Sequence, residues 1–335
     1  MKARIAAMDY ALPRTLLTNE ALTHDHPDWK IDKMSKTTGI RTRRVATEDE
    51  YTSGLAVSAA GKLFARHDID PTDIDYLILC TQSPDYFLPT TACIVHAEIG
   101  MRLDAGAVDV TLGCSGFIYA LGLAKGLIES GQVRNVLVIT AESFSKFVNP
   151  NDKATRPIFG DAATATLVLS DPNHDGLTGI VLGTDGRGGP GLVVPNGGLR
   201  DAEEFSPNSS VEARGLQSNG YDMYMDGLEI FNFTIRVVPG CVDEVLRKAA
   251  LTMSDVDLFV FHQANGYLIE HLRKKLEIPT EKFVVSMEDY GNTGSSTIPI
   301  ALTDAVAAGR VHKGDKIMLV GFGVGLSWGG VLVTW

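Results

Sequence analysis

Pro71-Thr72-Asp73-Ile74-Asp75-Tyr76-Leu77-Ile78-Leu79-Cys80 is matched in pattern by Met253-Ser254-Asp255-Val256-Asp257-Leu258-Phe259-Val260-Phe261-His262, with Asp75 and Asp257 standing 182 positions apart. Further along, the polar turn after Glu129-Ser130-Gly131 that leads into Val136-Leu137-Val138-Ile139 is echoed by the turn after Ala307-Ala308-Gly309 that leads into Ile317-Met318-Leu319-Val320. In each case a helix ends at Gly and a buried strand begins. Gly160-Asp161-Ala162 running into Val168-Leu169 falls opposite Gly329-Gly330 running into Leu332-Val333. Agreement of order and spacing over three segments predicts a duplicated α/β chain. Its halves, residues 1–172 and 173–335, would join near Pro172-Asn173-His174-Asp175-Gly176.

The bulk composition narrows the function classes. The 335 residues are 44% hydrophobic and 21% charged, as in a soluble globular protein with a large core. A net charge of −11 argues against nucleic acid or an anionic membrane as the main partner. A carrier protein could still dock on a local basic patch. The four cysteines, Cys80, Cys93, Cys114 and Cys241, form no CxxC pair and no metal-ligand spacing with histidine. The opening apolar stretch is interrupted by Asp9, too soon for a secretory signal, and no apolar run reaches bilayer length. Reduced thiols, a cytoplasmic location and no bound metal are therefore expected.

Three stretches carry candidate chemistry: Gly113-Cys114-Ser115-Gly116-Phe117, Phe261-His262-Gln263-Ala264-Asn265 and Tyr290-Gly291-Asn292-Thr293-Gly294. Val108 to Leu112 reads as a strand and Phe117 to Ile128 as the helix after it, so Cys114 is placed near a helix N-terminus. The positive pole there is expected to favour thiolate over thiol. A lone buried Cys is ordinarily a packing residue, but Cys, His and an amide together make a complete kit for acyl transfer. The Cys114 N–H could serve an oxyanion hole, with a second donor from the bend Gly321-Phe322-Gly323-Val324-Gly325. That bend is no dinucleotide fingerprint, because Ser327-Trp328-Gly329-Gly330 opens a final strand and not a helix. His262 and Asn292 are both donors suited to a developing enolate. Gly183 to Gly198 and Asp201 to Gly220 read as an excursion between strands, of the kind that covers sites or lines interfaces.

Taken together, these motifs resemble the β-ketoacyl-acyl-carrier-protein synthase III group of thiolase-fold condensing enzymes. The likeness runs nearly end to end: Thr38-Gly39-Ile40-Arg41, Pro89-Thr90-Thr91-Ala92-Cys93, the GCSGF stretch, Phe159-Gly160-Asp161-Ala162, HQAN, GNTGSS and the Gly-rich end. It implies a layered α/β/α/β/α fold, a homodimer and a Cys114-His262-Asn292 triad. It also implies oxyanion donors at the backbone of Cys114 and Val324. The implied reaction has two steps: an acyl thioester acylates Cys114, and malonyl-acyl-carrier protein then condenses with loss of CO₂. Coenzyme A and the phosphopantetheine of acyl carrier protein would be substrate carriers and not resident cofactors. Positions 33, 37, 153, 227, 231 and 265 correspond to carrier-binding positions. Gly227, Phe231 and Asn265 match the family, whereas Lys33 replaces a stacking aromatic, Thr37 an arginine and Lys153 an arginine. Tyr267 likewise stands for an arginine, with Lys274-Lys275 downstream. Lysine can still hold phosphate, but loss of the stacking platform is not conservative. Val324 in place of a more usual Gly is expected to narrow the acyl side of the pocket. The alternative is a non-elongating acyltransferase of the same fold that passes its acyl group to an alcohol or amine.

Overall fold

A computed structural model describes residues 1–200 and 210–335; part of the expected Asp201–Gly220 excursion, residues 201–209, lies outside the described residues. In chain order the elements are β1 (Lys2–Ala11), β2 (Thr15–Thr18), α1 (Asn19–Asp25), α2 (Ile31–Thr38), β3 (Thr42–Val45), α3 (Thr52–His67), β4 (Tyr76–Cys80) and α4 (Thr91–Glu98). Then come β5 (Gly106–Val110), α5 (Gly116–Glu129), β6 (Asn135–Glu142), β7 (Ala162–Asp171), β8 (Leu177–Thr184), β9 (Leu192–Val193) and β10 (Tyr224–Met225). The chain finishes with α6 (Gly227–Ala249), β11 (Leu258–Phe261), α7 (Gly266–Lys275), α8 (Thr297–Ala307), β12 (Lys316–Gly323) and β13 (Ser327–Thr334).

Two sheets carry the repeat. The first has the order β1-β7-β6-β4-β5 and the second β11-β12-β13-β8. β4 lies parallel to β6 as β11 lies parallel to β12, and β6/β7 are antiparallel as are β12/β13. Where the first sheet adds β5, the second has only a parallel bridge, Phe259 to Phe283. The repeated aspartates do matching work. Asp75 accepts from the N–H groups of Arg134 at 2.6 Å and Asn135 at 3.0 Å, and Asp257 accepts from Lys316 N at 2.8 Å. Each carboxylate thereby ties the start of one strand to the start of its parallel neighbour.

The core explains the layering. α5 packs on β1, β4, β6 and β7 of one sheet and on β8, β12 and β13 of the other, and α8 also touches both. Such a helix must be apolar nearly all round, and α5 buries Phe117, Ile118, Ala120, Leu121, Ala124 and Ile128. α3 and α4 cover the outer face of the first sheet, and α6 packs on the outer face of the second with α7 beside it. The result is the five-layered α/β/α/β/α arrangement. Among the described residues no helix is long and apolar enough to cross a membrane.

The paired aspartates give a stability test. Asp75→Ala leaves two backbone N–H groups and Arg102, at 2.6 Å, without their acceptor, whereas Asp257→Ala strands a single N–H at an exposed position. Denaturant titration should show a loss of about 2–3 kcal/mol for Asp75→Ala and about 1 kcal/mol for Asp257→Ala. A larger loss for Asp257→Ala would overturn this assignment.

Candidate active site

The Cys114 loop connects β5 to α5, closed by a 2.7 Å hydrogen bond from Gly116 N–H to Gly113 O. Cys114 is only 5% exposed. The turn between β12 and β13 comes up against it, and the backbone N–H groups of Val324 and of Cys114 itself are directed at the sulfur. A Cβ on Gly323 would stand 2.7 Å from the Cys114 Sγ, so glycine is what permits the approach. The turn is held in place from below: Ser115 Oγ lies 2.7 Å from Ser327 Oγ, which donates to Val324 O at 2.8 Å.

The ionisation of Cys114 differs from the expectation drawn from its helix-end position. Burial pushes the thiol up to about 12, the Val324 N–H pulls it back, Glu142 adds to the rise and the Cys114 N–H opposes it. Desolvation wins because the sulfur lies inside the protein between two sheets, where charge costs more than one helix end returns. Glu142 was not singled out in the sequence, where it ends an otherwise ordinary strand. Fully buried, its carboxylate accepts from Ser83 Oγ and Ser295 Oγ, each at 3.0 Å, and from Gln82 N at 3.1 Å. Burial pushes that carboxyl up to about 8.

His262 follows β11 and its N–H donates to Val320 O at 2.8 Å. Its ring meets Phe322 edge-on at 5.5 Å, and Nδ1 lies 2.6 Å from Thr297 Oγ1 at the start of α8. Burial lowers its pKa to about 3, so the imidazole is neutral at any ordinary pH. Gln263, beside it, is a pin: Nε2 donates to Phe261 O at 2.6 Å and Oε1 accepts from Ser286 N at 2.8 Å. Asn265 caps α7, accepting from Leu268 N at 2.9 Å.

Asn292 is clamped by the segment after Pro157. Its N–H donates to Ile158 O at 2.8 Å and its carbonyl accepts from Gly160 N at 3.0 Å. Gly291 turns the chain into this clamp with φ +68°, and a Cβ there would collide with Ile158 O at 2.6 Å. The side-chain Oδ1 accepts from Gly294 N at 3.0 Å, which leaves the Nδ2 amide hydrogens to face the cavity.

Two cavities meet at Cys114, with Phe159 and Leu192 on the boundary. The first, about 440 Å³, contains His262 and Asn292 and runs past Gly227, Phe231, Asn265 and Thr37 to the exposed Tyr267. The second, about 330 Å³, is lined by Phe144, Phe147, Val193, Met223 and Val324 and contains neither His262 nor Asn292. Residues of the expected loop excursion, Gly189 and Leu192 to Val194, form one wall of it. Of the six positions expected to bind a carrier, Thr37, Gly227, Phe231 and Asn265 line the first cavity. Lys33 and Lys153 are exposed and line neither. Tyr267 stacks on Phe231 with ring centroids 5.7 Å apart, so an aromatic pair stands at this mouth without residue 33. Thr297 and Glu142, like the shared wall of Phe159 and Leu192, were not legible as site residues, because each acquires its role from a partner distant in sequence.

The layered fold with Cys114 buried between its two sheets is that of a thiolase-fold condensing enzyme. The sequence profile of 3-oxoacyl-[acyl-carrier-protein] synthase III matches residues 108–186, and that of the synthase's C-terminal part matches 246–335. A β-ketoacyl-[acyl-carrier-protein] synthase III of Caldanaerobacter subterraneus subsp. tengcongensis is 38% identical over 97% of this chain and 95% of its own. The crystal structure of a 3-oxoacyl-(acyl-carrier-protein) synthase III is 44% identical, superposes with a TM-score of 0.95 and covers all of both chains. The priming β-ketosynthase of the R1128 polyketide pathway is 30% identical over 99% of this chain and 96% of its own, with a TM-score of 0.86. The chain belongs to the 3-oxoacyl-[acyl-carrier-protein] synthase III family and is an acyl-transferring condensing enzyme.

The buried thiol gives a pH test. Thiolate, and with it reactivity, should grow with pH while the pH stays below the thiol's pKa. The iodoacetamide rate at Cys114, mapped by peptide mass, should climb about tenfold per pH unit from 6 to 9 without a plateau. The exposed Cys93 should be labelled faster at neutral pH. A plateau for Cys114 below pH 8 would refute a burial-raised thiol.

Proposed function

We propose that this enzyme carries out a decarboxylative Claisen condensation, priming Cys114 from an acyl thioester and extending it with malonyl-acyl-carrier protein to a 3-oxoacyl-acyl-carrier protein. The observation that carries this reading is the division of the site. Cys114 belongs to both cavities, His262 and Asn292 only to the first, and Val324 only to the second. The acyl chain then occupies the apolar second cavity, and each carrier's pantetheine arm threads the first.

In the priming step the Cys114 sulfur attacks the thioester carbonyl. The developing oxyanion takes the N–H groups of Cys114 and Val324, and the bond from acyl carbon to carrier sulfur breaks. The carrier departs as a thiol, with the proton that Cys114 gives up as it attacks. In the second step the malonyl C–CO₂⁻ bond breaks, and its electron pair makes an enolate whose oxygen is met by His262 and Asn292. CO₂ departs, the enolate carbon attacks the Cys114 acyl carbonyl, and the sulfur leaves, taking up one proton from solvent to restore the neutral thiol. Neither donor residue is a carboxylate, so no side-chain base has to remove a proton from carbon.

The primer carrier, coenzyme A or acyl carrier protein, meets the aromatic pair Phe231–Tyr267, with Lys36 and Lys274 beside the mouth. The likeness to a priming ketosynthase of polyketide synthesis supports a specialised pathway as an alternative to housekeeping fatty-acid synthesis. A cytoplasmic homodimer fits the free edge at β5, the half-exposed Val108 and the exposed run Tyr86-Phe87-Leu88. The two halves, 1–172 and 173–335, are proposed to be copies of one ancestral unit.

His262→Ala and Asn292→Ala should each lower malonyl decarboxylation by on the order of 10²–10³-fold while self-acylation survives. Intact-mass measurement of the acyl-enzyme and CO₂ release separate the two steps. Loss of acylation with retained decarboxylation would refute the roles. Val324→Gly should enlarge the second cavity and favour longer or branched primers over acetyl by about tenfold in kcat/KM, as one or two methylene groups are worth. An unchanged chain-length profile would place the acyl group elsewhere.

A further inference from the structure

The decarboxylation requires His262 to present an N–H to the enolate, and a neutral imidazole carries only one. We infer that Thr297 sets which nitrogen carries it, acting as a positioning residue that fixes His262 in the Nε2–H tautomer; this rests on the condensing reaction proposed above.

The geometry offers two consistent arrangements. The Thr297 hydroxyl lies 2.6 Å from His262 Nδ1 and 3.1 Å from Gly294 O, and its single proton can serve one of them. If it goes to Gly294, Thr297 accepts from Nδ1–H, and a bare Nε2 faces the cavity. That arrangement would set a lone pair against the enolate oxygen. If the proton goes to Nδ1, Nε2 carries the hydrogen and the ring becomes a donor.

Two observations favour the second arrangement. Gly294 O already accepts the backbone N–H of Thr297 and is not left unpaired when the hydroxyl turns away. Thr297 also opens α8 and directly follows the helical turn Gly294–Ser296, so Nδ1 sits near the positive end of this helical run. Positive potential there stabilises a lone pair on Nδ1 and disfavours a second N–H pointing at it. Burial from the other sides, including the Phe322 edge, keeps the ring neutral, so Nε2–H is a donor that does not itself become a cation. Asn292 is oriented by the same turn through Gly294 N, so one short segment aims both donors of the site.

The test reads the tautomer directly. Long-range proton–nitrogen NMR on the full-length enzyme with ¹⁵N-labelled histidine, between pH 6 and 8, should show His262 with Nε2 protonated and Nδ1 bare. Thr297→Ser, which keeps the hydroxyl, should retain that signature and most of the decarboxylation rate. Thr297→Val should lose or mix it and slow malonyl decarboxylation at least tenfold, far more than self-acylation. A bare Nε2 in the native enzyme overturns the inference, as does a Thr297→Val enzyme with unchanged tautomer and rate. If the native tautomer is Nε2–H and Thr297→Val changes it, yet the native enzyme releases no CO₂ from malonyl thioester, the role of Thr297 stands and the condensing reaction falls.

Discussion

The rest of the site depends on one close approach, that of the Gly323–Val324 backbone to the sulfur of Cys114. It joins the Cys114 thiol, delivered by the first sheet, to a backbone N–H delivered by the second. Nothing with a side chain fits at position 323, and Ser115 and Ser327 cross-link the two loops beneath it. The buried α5 between the sheets sets the distance, because its apolar surface must touch both at once. Packing the core and assembling the active site are therefore one event.

The electrostatics are those of a site that stores no charge. Burial holds the thiol, the imidazole and the carboxyl of Glu142 toward their neutral forms. In the proposed reaction charge appears only in transit, on a carbonyl or enolate oxygen, and at those places N–H groups are already aimed. Such pre-aimed donors in a dry cavity lose little to reorganisation, which is where their catalytic value lies. The clamp of Asn292 by Ile158 and Gly160 and the caps on the Gln82–Ser83 and Gly294–Ser296 segments keep them aimed.

The two cavities give the reaction its order. An apolar chain has room on the Val324 side, where Gln82 and Thr111 are the polar side chains in an otherwise mostly apolar lining. In the proposed reaction the second thioester arrives along the His262 and Asn292 side. On that reading the same Cys114 holds one acyl group while the next substrate is activated beside it.

Much of this was legible in the chain. The repeat around Asp75 and Asp257 is a hydrogen-bonding requirement of parallel strands, so it survives as local pattern and declares the duplicated fold. Cys114, His262 and Asn292 sit in turns whose glycines and polar residues have no business in a plain core, which marks them as a set. What local pattern could not carry was anything decided by distant neighbours. The helix end at Cys114 pointed to a thiolate, but solvent exclusion by the second sheet outweighs it. Thr297 reads as an ordinary early helix residue until His262 is brought to 2.6 Å, and that Lys33 stands exposed outside both cavities is visible only in the fold. Sequence alone determined which residues are chemically capable, because periodicity and turn chemistry are local. Tertiary structure decided which of them meet, how dry they are and which proton each one holds, because desolvation and hydrogen-bond pairing depend on atoms that the chain keeps far apart.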